Sequence, residues 1–445
     1  MTSDSYATSV SGPGALVTAI PALLGFVPER SLVLITFSGD GDEIGTTMRH
    51  DLSLQPDGVP TATMLGVIGH LARVCESYRV DRVIAVIIDD TRASDDGAYR
   101  RLAAIIDQNL YCVGGLHGAF ATPAISAGSP WETVWDSRTE ECGPEPITSG
   151  VVGDPMISPV AIARAVARGR RVLMTRGEMI DTLSPLPHCS TTTCEAHAIS
   201  AADDLAYAEL ADIRRTGDEQ YGEDEQDGND EHRNASGVGE IEVADWEIVS
   251  GSLDQTTIAP TVLTEFAHDH CAPDVAASDA AGRFPLHVLI DQLRRAQERS
   301  DLEFVVGLVD RAGEPLCCDD LQRLDKALRE LYVRDALVSL AVTDLWAGAE
   351  QLWTQAARKL RGRGQAAAAT LLGFVHYVHG NGAMAGTAFD LALEASPGYS
   401  MATLYNDALI RGIPPGVINR CAETGFGVAR SLGVELPPPV LRPAA

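Results

Sequence analysis

The stretch Arg82-Val-Ile-Ala-Val-Ile-Ile88 decides the fold class of this chain of 445 residues. It is an almost unbroken apolar run rich in β-branched residues, which is typical of a strand. Since the run does not alternate with polar residues, both faces of the strand are expected to be buried. Helical patterns flank it, from Thr61 to Tyr78 and from Asp96 to Asn109. The sequence therefore predicts a mixed α/β fold in which helices cover a sheet.

A β-hairpin is predicted upstream of this strand. The run Ser31-Leu-Val-Leu-Ile-Thr-Phe37 is followed by turn-forming residues and by a second apolar run from Ile44 to Leu54. The Gly39-Asp-Gly41 turn favours a hairpin over a phosphate-binding loop because its flanks alternate apolar residues. A helix is expected before the hairpin, beginning at Pro13 after Ser11 or Gly12 as cap and ending at Gly25.

The predicted α/β domain continues to about Pro187 and, with a trailing helix, is assigned residues 1–215. Strand candidates lie at 116–121 and 131–135, and a helical pattern covers 158–167. Thr175 and Glu178 have the spacing of a capping box, which predicts a short helix there.

Residues 216–240 are predicted to be an acidic, disordered linker. The stretch from Asp218 to Glu231 has eight acidic residues and no basic one, so it cannot bury enough apolar surface to offset its ordering entropy. A cation-attracting or partner-binding tail is the alternative interpretation. Beyond the linker, residues 241–445 are predicted to be helical, with helices near 256–270 and 285–298 and another begun by Asp319 or Asp320. The apolar run at 302–309 fits either a helix or a strand.

An internal repeat marks the C-terminal part of the chain. The trio Ala349, Trp353 and Ala356 recurs 36 residues later as a similar trio, Ala385, Phe389 and Ala392. This spacing predicts two stacked helical hairpins at about 330–412. Residues 366–399 resemble a tetratricopeptide repeat, and the positions that match its pattern further include Leu372-Gly373, Gly380 and Pro397.

The resemblance to that repeat implies a candidate binding groove. In the repeat family the first helix of each hairpin lines a concave surface, which here points to Thr370, Phe374 and Tyr377, with Ala367 and Val378 beside them. An apolar groove of this kind binds a peptide, so a protein partner is expected. The alternative is that Phe374 and Tyr377 pack against a neighbouring helix or the α/β domain, which the small number of repeats favours.

Charge and composition exclude several classes of function. The net charge of −28, from 62 Asp and Glu against 34 Lys and Arg, repels a phosphate backbone, so no nucleic-acid partner is expected. The apolar stretch 15–27 is shorter than the roughly 20 residues of a membrane span and is interrupted by Pro21. A secretory signal requires a positively charged start, but no Lys or Arg precedes Arg30. The nine cysteines are scattered. A cytoplasmic protein with reduced thiols and no membrane partner is expected.

No motif whose spacing reveals a mechanism is present: the sequence has no Walker P-loop, dinucleotide-binding Gly-x-Gly-x-x-Gly, HExxH or Gly-x-Ser-x-Gly. Enzymatic activity is therefore left open, with a non-enzymatic role favoured. Cys317-Cys318 precedes a helix whose N-terminus lowers the pKa of a thiol, but a structural role is favoured because no histidine adjoins the pair.

Two segments carry candidate metal ligands. The first contains His188, Cys189, Cys194 and His197, residue types that bind zinc, although structural zinc sites normally pair two such clusters. Neither zinc nor any other cofactor is favoured. The second contains Asp89-Asp90 and Asp95-Asp96, which follow a strand where ligands of open α/β sheets collect. The alternative for these acids is that they cap the next helix.

Several stretches together resemble a known family, the domain of unknown function 4192. They begin with the runs from Gly12 to Ile35 and from Arg49 to Leu52. The others are Asp154-Pro155, Ser158-Pro159, Gly169-Arg170, Arg176-Gly-Glu178, Arg334-Asp335-Ala336 and the repeat from Gly380 to Tyr399. The resemblance implies an origin in high-GC Gram-positive bacteria and supplies no activity, ligand or catalytic residue.

The sequence leaves two hypotheses for function. The leading one is a non-enzymatic protein-interaction or scaffold protein that uses the helical-repeat region. The alternative is a small-molecule-binding protein or metal-assisted enzyme with a site at the edge of the α/β sheet. Convergent polar groups in a pocket at that edge favour the alternative, whereas an open helical groove favours the first.

Overall fold

The computed structural model of the chain describes residues 10–38, 43–78, 80–137, 148–168, 171–187, 247–250 and 286–440. The predicted linker at 216–240, the helix expected at 256–270 and the Cys/His segment at 188–197 lie outside these residues. The N-terminal part supplies six strands, and a short edge strand comes from later in the chain. The strands are β1 (Ser31–Ser38), β2 (Glu43–Asp51), β3 (Arg82–Ile88), β4 (Gly118–Thr122), β5 (Pro130–Asp136), β6 (Ser149–Val151) and β7 (Glu247–Ser250).

The sheet is mixed, with the order β6-β5-β4-β3-β1-β2-β7. Strands β3 and β4 are parallel, and the other neighbouring pairs are antiparallel. The predicted hairpin is confirmed, because β1 pairs antiparallel with β2 from Ser31 opposite Asp51 to Ser38 opposite Glu43. On its other side β1 pairs with β3, which places Ser31 opposite Ile88. The first residues of β1 and the last residues of β2 and β3 therefore lie side by side. They form the sheet edge at which β2 and β3 end.

Helices cover both faces of the sheet. Those of the N-terminal part are α1 (Pro13–Leu24), α2 (Ala62–Tyr78), α3 (Gly97–Asn109), α4 (Pro159–Arg168) and α5 (Arg176–Asp181). Along β1, Leu32 and Leu34 share a core with α2 and α3, whereas Val33 and Ile35 share another with α1. This alternation explains the uninterrupted apolar strands, since each has one core on either side.

The described C-terminal part from residue 286 is helical, as the sequence predicted, whereas residues 247–250 of the predicted helical range 241–445 form strand β7 of the sheet. Its helices are α6 (Leu286–Asp310), α7 (Cys318–Arg329), α8 (Leu331–Leu337), α9 (Trp346–Lys359), α10 (Gly362–Val378), α11 (Gly382–Ala395), α12 (Ser400–Ile410) and α13 (Pro415–Ser431). The ambiguous run at 302–309 lies inside α6 and is helical. None of the described helices is both long and apolar enough to cross a membrane.

The two repeated trios lie at the centre of the helical part. All six side chains are fully buried: Ala349, Trp353, Ala356, Ala385, Phe389 and Ala392. Close approach of α10 and α11 depends on Gly373, because a Cβ at this position would lie 2.3 Å from the Phe389 ring. The repeated positions are therefore packing positions.

The helical part shares one hydrophobic core with the α2 side of the α/β part, and Ala383 of α11 also belongs to the core on the α1 side. The imidazole Nε2 of His70 on α2 lies 2.7 Å from the carbonyl oxygen of Ile410 at the end of α12. Farther along the contact, the Leu186 N–H donates to the Arg358 carbonyl at 2.7 Å, and Arg358 Nε donates to the Ser184 carbonyl at 3.0 Å. These contacts join residues that are far apart in the sequence.

Candidate functional site

A cleft of about 420 Å³ lies at the edge of the sheet where β1 begins and β2 ends. Its polar lining residues are three arginines, Arg30, Arg49 and Arg176, two acids, Glu29 and Asp51, and Thr175. Phe26, Val27 and Leu52 supply the apolar part of the lining. Three segments meet here: the loop from α1 to β1, the end of β2, and the start of α5.

Arg49 is the buried charge of the cleft. Its position on β2 opposite Val33 directs it to the α1 face of the sheet, and only 5% of its side chain is exposed. Nε donates to the Ser31 hydroxyl at 2.8 Å, Nη2 donates to the Glu29 carbonyl at 3.5 Å, and Asp51 forms an ion pair with Nη2. Nη1 has no hydrogen-bond partner among the described residues. A buried polar nitrogen without a partner costs free energy, so it marks a place where an acceptor would bind.

The backbone at Arg30 is strained. Its φ of 39° is the single positive value at a non-glycine position in the described part of the chain. The Leu52 N–H donates to the Arg30 carbonyl at 2.7 Å, and the Ser31 hydroxyl donates to the Glu29 carbonyl at 2.7 Å, so the turn is fastened to the end of β2. Such conformations persist where the surroundings impose them, and they cluster at functional sites.

The α5 segment is attached to the same loop. The Val27 N–H donates to the Leu173 carbonyl at 3.0 Å, and the Leu173 N–H donates to the Gly25 carbonyl at 2.8 Å. This pairing brings Arg176, the first residue of α5, to the cleft. One of the two hydrogen bonds of the predicted capping box is confirmed: the Thr175 hydroxyl accepts from the Glu178 N–H. The Glu178 carboxylate accepts from the N–H of Met174 and not from that of Thr175.

The cleft concentrates positive charge in a strongly acidic protein. Its lining has three arginines against two acids, whereas the whole chain has a net charge of −28. Guanidinium groups bind carboxylate and phosphate oxygens in a bidentate geometry. The arrangement is therefore suited to an oxyanion.

Comparison with known proteins supplies a family. A family model described as a domain of unknown function, DUF4192, matches residues 13–245 and 249–416. The chain belongs to the DUF4192 family. The resemblance predicted from the sequence is thereby confirmed. No curated protein and no solved structure matches the chain.

The residues that line the cleft of this DUF4192 protein were not among the site residues proposed from sequence, although a site at the sheet edge was the alternative hypothesis. Three of the stretches that carry the family resemblance nevertheless meet in it: the run from Gly12 to Ile35, the run from Arg49 to Leu52, and Arg176-Gly-Glu178. The feature of the sequence that could have indicated the cleft is an arginine near the end of a mostly buried strand. Its burial became apparent only from the packing of Phe26 and α1 over β2, since the Arg49 guanidinium carbon lies 6.0 Å from the centre of the Phe26 ring.

The acidic residues after β3 do not form a metal site in the described structure. Asp89 is buried and accepts hydrogen bonds from the Thr91 N–H and hydroxyl and, at 2.9 Å, from the Tyr99 hydroxyl. Asp96 accepts from the Ala98 N–H at 2.8 Å, which lowers the pKa of its carboxyl, and so caps α3. Within the described ranges no three metal-ligating side chains come together. For Asp96 the capping alternative is confirmed.

The groove proposed on the helical repeat is not open in this DUF4192 protein. Thr370, Phe374 and Tyr377 are at most 2% exposed. The Thr370 hydroxyl donates to the Ala366 carbonyl at 2.7 Å, and the Tyr377 hydroxyl donates to the Ile413 carbonyl at 2.6 Å. The Phe374 ring packs at 4.9 Å from that of Tyr405. These residues hold the helices together because α12 and the segment after it cover the surface that a partner would use. The expectation of an open groove is therefore wrong, and the alternative, that Phe374 and Tyr377 pack against a neighbouring helix, is confirmed.

The two cysteine predictions have different outcomes. His188, Cys189, Cys194 and His197 lie outside the described residues, so zinc binding there stays a prediction. Cys317 caps α7: its sulfur accepts from the Asp320 N–H at 3.4 Å, and the Asp320 carboxylate accepts from the Cys317 N–H at 3.4 Å. Helix α7 therefore begins at Cys318, slightly before the predicted Asp319 or Asp320.

Proposed function

We propose that this protein binds a small molecule through a phosphate or carboxylate group in the cleft formed by Arg30, Arg49 and Arg176. The observation that carries the proposal is the buried Arg49 guanidinium, whose Nη1 has no partner among the described residues. An arginine is costly to bury unless its N–H groups are hydrogen-bonded, and a ligand oxyanion would supply the missing acceptors.

The remaining lining supports the same class of ligand. Arg30 and Arg176 add positive charge to the lining, and Val27 and Leu52 supply a smaller apolar part. The lining is more polar than apolar, which suits the charged group of a ligand. This is the sheet-edge hypothesis in a form that needs neither metal nor catalysis, and we limit the proposal to binding.

Calorimetric titration of the whole protein with inorganic phosphate and with acetate tests the proposal. Arg30→Ala and Arg176→Ala are each expected to weaken binding about tenfold or more, since a hydrogen bond to a charged group contributes about 1.5–3 kcal/mol. Arg100→Ala is the matched control, because Arg100 is exposed on α3 away from the cleft. If neither anion binds to the wild type, or if Arg100→Ala weakens binding as much, the proposal is wrong.

A protein-interaction role remains a second proposal, supported by a different surface. Ile157, Ile162 and Val166 are 66%, 52% and 75% exposed, and the last two lie one turn apart on α4. Exposed apolar side chains grouped in this way are typical of protein contacts. Affinity capture from the native cells tests it: Ile162→Asp with Val166→Asp should lose a partner that the wild type and the surface control Leu65→Asp retain.

We also propose that α10 and α11 form a tetratricopeptide-like hairpin. The close contact of Gly373 with Phe389 and the burial of Ala385 and Ala392 support it. In this proposal the hairpin has a packing role. Separately, we propose that the protein is cytoplasmic, which cell fractionation tests.

A further inference from the structure

The Arg49 guanidinium is only partly used by its neighbours. A guanidinium has five N–H groups in a rigid plane. In Arg49 the Nε group is bonded to Ser31 and the Nη2 group to the Glu29 carbonyl and Asp51, whereas Nη1 has no acceptor among the described residues. An oxyanion binds most strongly to two N–H groups at once. Asp51 reaches Arg49 through one oxygen on Nη2, so the pair does not use this geometry.

The two partners of this ion pair are held very differently. The side chain of Arg49 is 5% exposed, whereas that of Asp51 is 50% exposed. Arg49 is fixed by Ser31, by the Glu29 carbonyl and by the Phe26 ring, none of which depends on Asp51. The Asp51 carboxylate is half-exposed, so water can hydrate it once another anion neutralises the buried Arg49. Arg49 can therefore exchange this partner while its own position is kept.

We propose that Asp51 is the internal counter-ion of the cleft and that the oxyanion of the ligand displaces it from Arg49. The inference rests on the proposed function and adds how the site is regulated. In the free protein the Asp51 carboxylate neutralises a buried cation. A bound ligand takes both Nη groups and releases Asp51 to solvent. The ion pair thus competes with the ligand and lowers its affinity.

If Asp51 had the opposite role, removing its charge would change the affinity for the ligand in the opposite direction. If Asp51 served to orient Arg49 for the ligand, removing its charge would weaken binding. If Asp51 competes, removing its charge strengthens binding. The substitution Asp51→Asn keeps the shape of the side chain, so it separates the two roles.

The experiment is calorimetric titration of the whole protein with inorganic phosphate at constant ionic strength. Asp51→Asn is expected to bind phosphate roughly tenfold more tightly than the wild type, since one competing charge at contact distance is removed. The matched control is Glu29→Gln, which removes a carboxylate from the same cleft. The Glu29 side chain forms no ion pair with Arg49 in the described structure, so this variant should gain roughly twofold or less.

Three results separate the displacement from the proposed function. Tighter binding in Asp51→Asn than in Glu29→Gln supports displacement. Equal gains in the two variants, or weaker binding in Asp51→Asn, overturn it while leaving the anion site intact. Should Asp51→Asn fold poorly, Asp51→Ala gives the same comparison. Absence of phosphate and acetate binding in the wild type would instead refute the proposed function itself.

Discussion

At the scale of single residues, two kinds of position matter most. At one kind an added side-chain atom would clash with a neighbour, and at the other a buried polar atom needs a hydrogen-bond partner. Gly373 is the strongest example of exclusion, because the Phe389 ring fills the space beside its Cα. Arg49 is an example of requirement, since its buried Nη1 lacks an acceptor among the described residues. The first concerns stability and the second concerns binding. Sequence comparison within the chain identified the first but not the second.

Gly373→Ala is expected to destabilise the protein by about 1–3 kcal/mol, because a Cβ 2.3 Å from Phe389 Cε1 forces α10 and α11 apart. Chemical denaturation measures the loss. Gly307→Ala in α6 is the matched control: a Cβ there has no neighbour within 4 Å, so the better helix propensity of alanine should leave stability unchanged or raise it by up to about 1 kcal/mol. An equal loss in both variants would contradict the packing explanation.

At the scale of elements, local patterns predicted most of the helices and strands. The apolar run of β3, the turn-separated runs of β1 and β2, and Pro13 with Gly25 at the ends of α1 each depend on neighbouring residues alone. The cleft depends on three segments from different parts of the chain, which no local pattern reports. For the same reason the sequence left the burial of Phe374 and Tyr377 as one of two alternatives, because it depends on Tyr405 of α12 and on Ile413, which return to cover them.

The cap of α7 gives a prediction at this scale. Cys317 accepts the Asp320 N–H through sulfur at 3.4 Å, which is a weaker acceptor than a hydroxyl. Because the side chain is exposed, Cys317→Ser is expected to keep or increase stability by up to about 1 kcal/mol, whereas Cys317→Ala should lose about 0.5–2 kcal/mol. Denaturation of the two variants in parallel measures the difference. Equal or greater stability of the alanine variant would show that the cap contributes nothing.

At the scale of the whole molecule, α2 carries a large part of the contact between the α/β part and the helical part. A continuous core crosses the contact, and Gly412 approaches so closely that a Cβ there would lie 2.6 Å from Val74. Its φ of 67° also requires glycine. The cleft lies in the α/β part, so ligand binding and the packing of the helical part can be tested separately.

The contact between the two parts should respond to pH through His70. Burial lowers the pKa of this imidazole, the hydrogen bond with the Ile410 carbonyl opposes the shift, and Arg73 and Arg411 add to it. The unfolded chain keeps the ordinary value of about 6.5, so below that pH it binds protons more readily than the folded protein and stability falls. Since His70 is only half-buried, the loss between pH 7 and 5 should be below about 1 kcal/mol. His70→Gln can still donate to Ile410 but does not titrate. Denaturation at both pH values should therefore show a smaller loss in the variant, and an identical loss would exclude His70 as the cause.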